Sequence, residues 1–257
     1  MNEQVFADGL SQTEISFLRG LKRRIKKLDV YAMEAWATFF AFDHPELVTG
    51  SMAKRIVLFY KLAVRKKISR AMLNLGAIYY NGVIVRQDFA KALNLYEMAA
   101  NSGDPVVAAR AVSNLGYCYY YGRSVAVDKE KAFSYFLGGV QKYNDPNCLY
   151  KLGDMYRYGE CIEKDERKAY DLYRKAYAAD ESSRDFCGDI LLRLGECELC
   201  GVGTEQDVVS AKSRFALAET DLCERLYIKK DPFAKATLAK VKKLMQTAER
   251  LMQEENG

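Results

Sequence analysis

The sequence predicts an all-α fold, a right-handed superhelical solenoid of about five stacked helix pairs with capping helices at both ends. Two observations predict it. Four Leu-Gly dipeptides have their glycines 40, 37 and 42 residues apart, and other residue types keep a fixed distance from each of these glycines. Apolar residues between these landmarks follow helical spacing, and a unit this short buries its apolar side only by stacking on a neighbour.

Four further landmarks follow each Leu-Gly pair at constant offsets. A second glycine stands six residues on, an aspartate twelve, an alanine sixteen and an aromatic residue twenty. The Leu-Gly glycines are Gly76, Gly116, Gly153 and Gly195; the second glycines are Gly82, Gly122, Gly159 and Gly201; the aspartates are Asp88, Asp128, Asp165 and Asp207; the alanines are Ala92, Ala132, Ala169 and Ala211; the aromatics are Tyr96, Phe136, Tyr173 and Phe215. Four copies of one five-point pattern define a repeating unit.

Each landmark has a physical reason. The first glycine lies in mid-helix, where it costs about 1 kcal/mol relative to alanine, so it indicates that a neighbouring backbone comes very close. The second glycine suits the left-handed residue that ends a helix, and the aspartate suits the N-cap of the next helix. The alanine and the aromatic fall on one apolar stripe of that second helix. Each unit is therefore predicted to be helix, short loop, helix.

The chain before the four repeats of 70–223 is assigned to two units. We predict a basic capping helix within 1–30, running from Thr13 to Leu28, and a degenerate first repeat over 31–69. In the second of these units Tyr60 and Ala63 copy the aromatic-x-x-Ala step of a second helix.

The chain after the repeats, 224–257, is predicted to form a C-terminal capping helix. Asp231-Pro232 has the form of an N-cap followed by proline at the first helical position. One apolar stripe of this helix comprises Leu238, Val241, Met245, Ala248 and Met252. The stripe either caps the chain's own stack or pairs with a second copy, so the oligomeric state is open.

The pattern L-G-x-x-Y-x-x-G, then V-x-x-D-x-x-K-A-x-x-x-Y-x-x-A, resembles the Sel-one-like repeat family, a relative of tetratricopeptide repeats. The segments LGAIYYNGVIVRQDFAKALNLYEMAA, LGYCYYYGRSVAVDKEKAFSYF and LGDMYRYGECIEKDERKAYDLYRKA carry the resemblance, which covers roughly residues 70–220. The family's second loop glycine is kept only at Gly203; Ile84, Ser124 and Cys161 stand at the other positions. The fourth repeat has Glu198 in place of tyrosine and Ser210 in place of lysine.

The resemblance implies a function in protein binding, because in related helix-pair repeats the first helices line a concave surface. The positions that it places there are rich in tyrosine, which with arginine is enriched where interfaces concentrate their energy. We expect a non-catalytic scaffold or adaptor whose groove binds a peptide or protein of unknown identity. The expected binding residues are Tyr80, Asn81, Ser113, Tyr117, Tyr120, Tyr121, Tyr150, Asp154, Arg157 and Tyr158. The alternative is that these rings fill space between repeats.

Positive charge is concentrated near the N-terminus. The formal net charge is +5, and residues 1–70 hold thirteen Lys and Arg against seven Asp and Glu. The alternative function is therefore a module that binds nucleic acid or an anionic membrane. Its candidate residues are Lys22, Arg23, Arg24, Lys26, Lys27, Arg65, Lys66 and Lys67. A solvated helix face explains the same pattern.

Enzymatic activity is not expected, and neither is a metal or cofactor. His44 is the only histidine, so most histidine-containing metal sites, a classical triad and a histidine-based acid–base pair are not expected. His44 itself is interpreted as a solvated loop residue. Ser51 and Lys54 match the S-x-x-K motif of penicillin-recognising enzymes, and β-lactamase activity is attributed to some cysteine-rich members of the family. The companion S-D-N and K-T-G motifs are absent from the sequence. Cys197 and Cys200 form a single C-x-x-C, interpreted as helix packing.

A cytoplasmic location is expected. The sequence holds no run of about 18 apolar residues, and its start has neither the basic nor the apolar region of a signal peptide. Seven cysteines at irregular spacing are typical of free thiols in a reducing compartment. An effector delivered by a dedicated secretion machine would have the same features.

Overall fold

The described residues form twelve α-helices and no β-strand. A computed structural model describes residues 10–180, 187–228, 231 and 234–254. The helices are α1 (Gln12–Ile25), α2 (Val30–Thr38), α3 (Gly50–Arg65), α4 (Ser69–Asn81), α5 (Phe89–Ala100), α6 (Pro105–Tyr121), α7 (Lys129–Tyr143), α8 (Pro146–Tyr158), α9 (Glu166–Ala179), α10 (Cys187–Cys200), α11 (Val208–Cys223) and α12 (Ala234–Glu254). The predicted all-α class is confirmed.

The helices divide into two compact units, unit 1 (Met1–Ala126) with α1 to α6 and unit 2 (Val127–Gly257) with α7 to α12. The helix pairs α4–α5, α8–α9 and α10–α11 pack closely within their units, and each pair corresponds to one predicted repeat. Within the described ranges every helix is too short or too polar to cross a bilayer.

The second glycine of each repeat ends a first helix, as predicted. Its positive φ places the residue in the left-handed region, which glycine reaches without a Cβ penalty. The φ values are +69°, +68°, +67° and +67° for Gly82, Gly122, Gly159 and Gly201, which follow α4, α6, α8 and α10.

The aspartate landmarks begin the second helices, also as predicted. Each side chain accepts a hydrogen bond from the backbone N–H three residues further on, at 2.8–3.0 Å. These bonds satisfy one of the amide donors that the first turn of a helix leaves unpaired. The four N-caps are Asp88, Asp128, Asp165 and Asp207, before α5, α7, α9 and α11.

The mid-helix glycines face aromatic rings rather than a neighbouring backbone, so that part of the prediction is wrong. A Cβ on Gly153 would lie 2.5 Å from Cε1 of Tyr173, and one on Gly195 would lie 2.5 Å from Cε1 of Phe215. Both rings are fully buried. The close approach is therefore made by the aromatic landmark of the same repeat, twenty residues on.

The second loop position, where Gly203 stands, packs on the helix pair before it. A Cβ at Gly203 would lie 2.0 Å from the Glu166 carbonyl oxygen at the start of α9. At the equivalent position the Cys161 thiol donates to the carbonyl oxygen of Lys129 at 3.4 Å. Cys161 keeps a left-handed φ of +57° although it has a side chain. The left-handed conformation is thus retained at Cys161 and at Ser124, whose φ is +68°, but not at Ile84.

The N-terminal helix α1 is shorter than predicted, and His44 packs against it. A capping box of Ser11 and Glu14 begins the helix, which ends at Ile25 rather than Leu28 because the chain turns there to begin α2. Nε2 of His44 lies 2.9 Å from Oε1 of Glu14, and its ring lies 4.6 Å from the Phe39 ring. The interpretation of His44 as a solvated residue is therefore wrong.

The last helix, α12, packs its apolar stripe on its own unit. Leu238, Val241 and Ala248 are buried in one cluster with residues of α11, and Met245 and Met252 pack against that cluster half-buried. The Asp231 carboxylate binds Arg225 at 2.7 Å, and its backbone carbonyl oxygen accepts from the N–H of Ala234 at the start of α12. Pro232 of the predicted N-cap lies outside the described residues. The stripe therefore covers the end of the stack.

Gly153→Ala should lower the free energy of unfolding by about 1–3 kcal/mol, because the new Cβ overlaps the buried Tyr173 ring. The matched control is Gly138→Ala in α7, where a Cβ meets nothing within 4 Å. That change should raise stability by up to about 1 kcal/mol, through helix propensity alone. Urea unfolding followed by circular dichroism measures both, and equal effects of the same sign would contradict the contact.

Candidate functional site

In unit 1 most of the predicted binding tyrosines form one cluster at the ends of α4 and α6. Tyr117 and Tyr121 stack with ring centroids 6.0 Å apart and an interplanar angle of 2°, and Tyr120 meets Tyr121 edge-on at 4.8 Å. Tyr80 packs edge-on against Phe89 at 5.3 Å. Ring pairs in these geometries stabilise each other beyond their buried area, so the rings are held in fixed positions.

Arg123 joins the rings of this cluster. Its guanidinium lies 4.9 Å from the Phe89 ring centroid and 5.9 Å from the Tyr121 ring centroid, and its positive charge also acts on the Tyr80 hydroxyl. Burial raises the pKa of Tyr80, and the positive charge of Arg123 opposes that effect. We call Tyr80, Phe89, Tyr117, Tyr120, Tyr121 and Arg123 the aromatic cluster of unit 1. Tyr121 is its most open ring, 47% exposed.

In unit 2 the equivalent helix α8 presents a smaller surface. Tyr158 is 61% exposed, with the Arg157 guanidinium 5.4 Å from its ring centroid. Arg157 also binds Glu196 at 2.9 Å, and Lys240 pairs with the same carboxylate. Tyr158 therefore stands at the surface in a cation–π pair with Arg157, whose side chain is only 13% exposed and is anchored by Glu196.

Three predicted binding residues are buried, so the expectation that they are exposed is wrong. Ser113 and Tyr150 are 2% and 7% exposed. They stand three residues before their repeat glycine and so share its inward face, one helical turn away. Asp154 is 6% exposed because α10 covers it with Arg193. Asn81, in contrast, is exposed at the end of α4.

Asp154 is the centre of a buried ionic network in unit 2. Arg193 binds both of its carboxylate oxygens, at 2.7 and 3.0 Å, and Lys151 binds one at 3.1 Å. The Tyr173 hydroxyl donates to Oδ1 at 3.0 Å. Burial alone would raise the pKa of Asp154, but the charges of Arg193 and Lys151 outweigh it and lower the pKa to about 2.

The sequence interpretation missed Lys151 and Arg193 as partners of this network. Both stand two residues before a repeat glycine, where the other repeats have Asn74 and Asn114. The change from a neutral amide to a cation at one repeat position was a signal that could have indicated a charge partner. Arg123 and Phe89 of the aromatic cluster carried no such signal, because each stands at a position that varies between repeats.

The predicted basic residues lie on the surface of unit 1. Lys22 is half-buried, and the other seven are exposed. Arg24 is neutralised by Asp29, with Nε 2.8 Å from Oδ2. The residues occupy the ends of α1 and α3 and the turns after them.

The residues considered for catalysis and metal binding are separate from these surfaces. Ser51 and Lys54 are exposed on the first turns of α3, with Oγ of Ser51 3.2 Å from Oγ1 of Thr49. Cys197 is fully buried, as is Cys118 at the same repeat offset, which confirms the packing interpretation for Cys197, whereas Cys200 is exposed. Burial raises the pKa of Cys197 to about 11. Among the described residues no group of His, Cys, Asp and Glu is arranged to hold a metal ion.

These helix pairs, with their glycine and aspartate landmarks, define the class of α-solenoid repeat proteins. Four segments of the chain match the Sel1 repeat model, residues 69–104, 109–137, 146–181 and 191–213. The chain belongs to the Sel1-repeat family, as the sequence resemblance predicted.

Solved structures with the same repeat are similar to this chain. A Sel1 repeat protein from Oxalobacter formigenes aligns with a TM-score of 0.60 at 20% identity, covering 85% of this chain and 88% of that one. A protective antigen of uropathogenic Escherichia coli with an SLR fold aligns with a TM-score of 0.59 at 22% identity over 81% of this chain. This chain spans 43% of the antigen's length.

A sel1 repeat protein from Klebsiella pneumoniae subsp. pneumoniae aligns with a TM-score of 0.50 at 13% identity, covering 87% of this chain and 98% of that one. At such identities these similarities establish the fold alone. The sequence matches none of the curated proteins.

Asp154→Asn should lower the free energy of unfolding by about 3 kcal/mol at neutral pH, because it leaves the Arg193 guanidinium buried without its counter-charge. Because folding lowers the pKa of Asp154, its ionised carboxylate stabilises the folded state at pH values above the ordinary pKa of 3.8. This contribution declines as the pH falls toward 2. The difference in the free energy of unfolding between wild type and variant should therefore be smaller by about 1 kcal/mol at about pH 3 than at about pH 7.

Urea unfolding at the two pH values measures this gap. Asp171→Asn is the matched control, since the Asp171 carboxylate on α9 is half exposed and 4.0 Å from Arg167. It should change stability little at either pH. A gap for Asp154→Asn that stays constant with pH would contradict the ionic role of Asp154.

Proposed function

We propose that this chain is a non-catalytic scaffold that binds a segment of another protein through the tyrosine-bearing ends of its first helices. Two surfaces are candidates, the aromatic cluster of unit 1 and the Arg157–Tyr158 pair of unit 2. The free thiols of all seven cysteines support a cytoplasmic location for this activity.

One observation carries the proposal: rings at the same repeat position are exposed yet held in place. Tyr121 and Tyr158 both stand five residues after their repeat glycine, and they are 47% and 61% exposed. Tyr121 is fixed by Tyr117 and Tyr120, and Tyr158 by Arg157. A ring that is already ordered loses little conformational entropy when a partner covers it, which favours binding.

The proposed partner is a peptide segment with apolar and hydrogen-bonding groups. Tyrosine offers an apolar ring and a polar hydroxyl, and the arginines beside the rings add donors for backbone carbonyls or carboxylates. Asn81, at the end of α4, adds an exposed amide that both donates and accepts.

The second candidate is binding of nucleic acid or an anionic membrane through the basic residues of unit 1. Its support is the exposure of Arg23 in the last turn of α1, of Lys26 and Lys27 after α1, and of Lys66 and Lys67 after α3. It is the weaker candidate, since neither segment interleaves these cations with the aromatic rings on which bases stack.

A photo-crosslinking amino acid placed at position 121 or 158 should capture a partner protein in cells, because both side chains point into the proposed binding surfaces. Tyr31 and Tyr227, which are 68% and 64% exposed and lie outside the four matched repeat segments, provide matched control positions. Mass spectrometry of the crosslinked species identifies the partner.

With the partner identified, Tyr121→Ala with Tyr158→Ala should weaken its binding by at least about tenfold in titrations of the purified proteins. The pair Tyr31→Ala and Tyr227→Ala should leave the affinity unchanged. Equal crosslinking at all four positions, or a wild-type affinity in the first double variant, would count against the proposal.

A further inference from the structure

Unit 1 contains a groove on a different set of helices from the aromatic cluster. The groove lies between α3 and α5, with α4 beneath it, and encloses about 500 Å³. Ligand pockets in proteins range from about 300 to 1,000 Å³, so the space is large enough for several side chains of a partner. We call it the α3–α5 groove; its lining residues are Lys61, Val64, Arg65, Leu75, Tyr79, Ala90, Lys91, Asn94 and Leu95.

The floor of the groove is apolar and includes two residues of the repeat pattern. Leu75 is the leucine of the Leu-Gly pair and Tyr79 follows the glycine by three residues, whereas Leu95 precedes the aromatic landmark at a position that varies between repeats. All three are buried in the fold, with only their outer edges at the groove. Val64 of α3 is half-buried and extends this apolar strip. The floor of the groove is therefore an apolar surface with few polar groups.

The rim of the groove is positive on both sides. Lys61 and Arg65 stand one helical turn apart on α3, both exposed, and in the described part of the chain neither has a carboxylate partner. On α5 Lys91 is already engaged, since its Nζ lies 2.6 Å from Asp88 and 5.3 Å from the Tyr79 ring centroid. Lys61 and Arg65 therefore supply the uncompensated charge.

The two cations of the rim are not part of the repeat pattern. When Tyr60 is aligned with the aromatic landmark Phe136 of α7, Lys61 corresponds to Leu137 and Arg65 to Gln141. Leu137 and Gln141 are exposed in α7, so neither position needs a charge for folding. Of the other second helices only α9 has a cation at either position, Arg174, so the pair of cations is special to α3.

We propose that the α3–α5 groove binds an acidic amphipathic helix of a partner protein. Leucine-like side chains on one face of that helix would contact Val64, Leu75 and Tyr79, and flanking carboxylates would pair with Lys61 and Arg65. Charge complementarity decides the occupant, because an apolar floor with two free cations matches a segment that is both apolar and acidic. A phosphate backbone would satisfy the cations but would leave the floor without aliphatic partners.

The test uses a fluorescein-labelled synthetic helix of about four turns, with Leu at one face and Glu at the flanking positions. Fluorescence anisotropy with the full chain should show saturable binding. Lys61→Leu with Arg65→Gln, the residues of α7 at the same positions, should weaken binding by about tenfold. Asn94→Trp, which fills the groove from its exposed wall, should weaken it at least as much. Circular dichroism melting curves verify that both variants are folded.

Three controls make the result specific. Lys175→Leu with Arg86→Gln removes the same charge from exposed positions that line no part of the groove, and should leave the affinity unchanged. A probe with Ser in place of Leu should not bind, nor should one with Gln in place of Glu. The double variant Tyr121→Ala with Tyr158→Ala should bind the probe with wild-type affinity. This test is therefore independent of the proposed scaffold surfaces.

The proposal is overturned if the Lys175 and Arg86 variant loses as much affinity as the groove variant, or if the serine probe binds equally well. It is also overturned if no acidic probe binds while a labelled single-stranded oligonucleotide or vesicles with anionic lipid bind through Lys61 and Arg65. In that case the basic residues serve a nucleic acid or a membrane instead.

Discussion

The contact between the mid-helix glycine and the buried aromatic ring of the same repeat is the constraint on which the stack depends. At Gly76, Gly153 and Gly195 the ring atoms lie within 2.5–2.7 Å of where a Cβ would stand, so no other residue fits without moving the ring. The ring fills the space between the two helices of a pair, and overfilling such a core costs about 1–3 kcal/mol. Glycine is retained there although it weakens the helix, because it sets how closely the two helices approach.

Helix ends are fixed by a second, local set of interactions that closes each hairpin. The backbone N–H of Asp165 donates to the carbonyl of Tyr156, and the Asp165 side chain caps α9. Lys168 then lies 4.0 Å from the Tyr156 ring centroid. The fourth repeat has lost both members of this pair: Glu198 replaces the tyrosine and instead accepts from the Tyr170 hydroxyl, and Ser210 replaces the lysine. The backbone bond from Asp207 to Glu198 remains. Capping therefore persists where the side-chain pair does not.

The sequence was sufficient to predict features that depend on local geometry or on the repeat register. Helix ends at left-handed glycines, aspartate N-caps and buried aromatics follow from spacing within about 25 residues, because each has its partner in the same hairpin. Ser113, Tyr150 and Asp154 were predicted to be exposed and are buried, and His44 was predicted to be solvated and contacts Glu14. For Asp154 and His44 a helix outside the residue's own hairpin decides the environment. Ser113 and Tyr150 instead lie on the inward face of their own helices, one turn from the repeat glycine. Asp154 is buried because Arg193 reaches it from the next repeat, and no periodicity within α8 carries that information.

In a repeat protein of this kind some positions stabilise the packing of the helices, and other positions can differ from one repeat copy to the next. The landmark positions are occupied in the same way in each copy, so they carry no information about a partner. Specificity must therefore come from positions that differ between copies and remain at the surface. Tyr121 and Tyr158 at the ends of first helices meet both conditions, and so do Lys61 and Arg65 on α3, where α7 has Leu137 and Gln141. Because these surfaces rest on helices fixed by glycine–aromatic contacts, their side chains are ordered before a partner arrives, which reduces the entropic cost of binding.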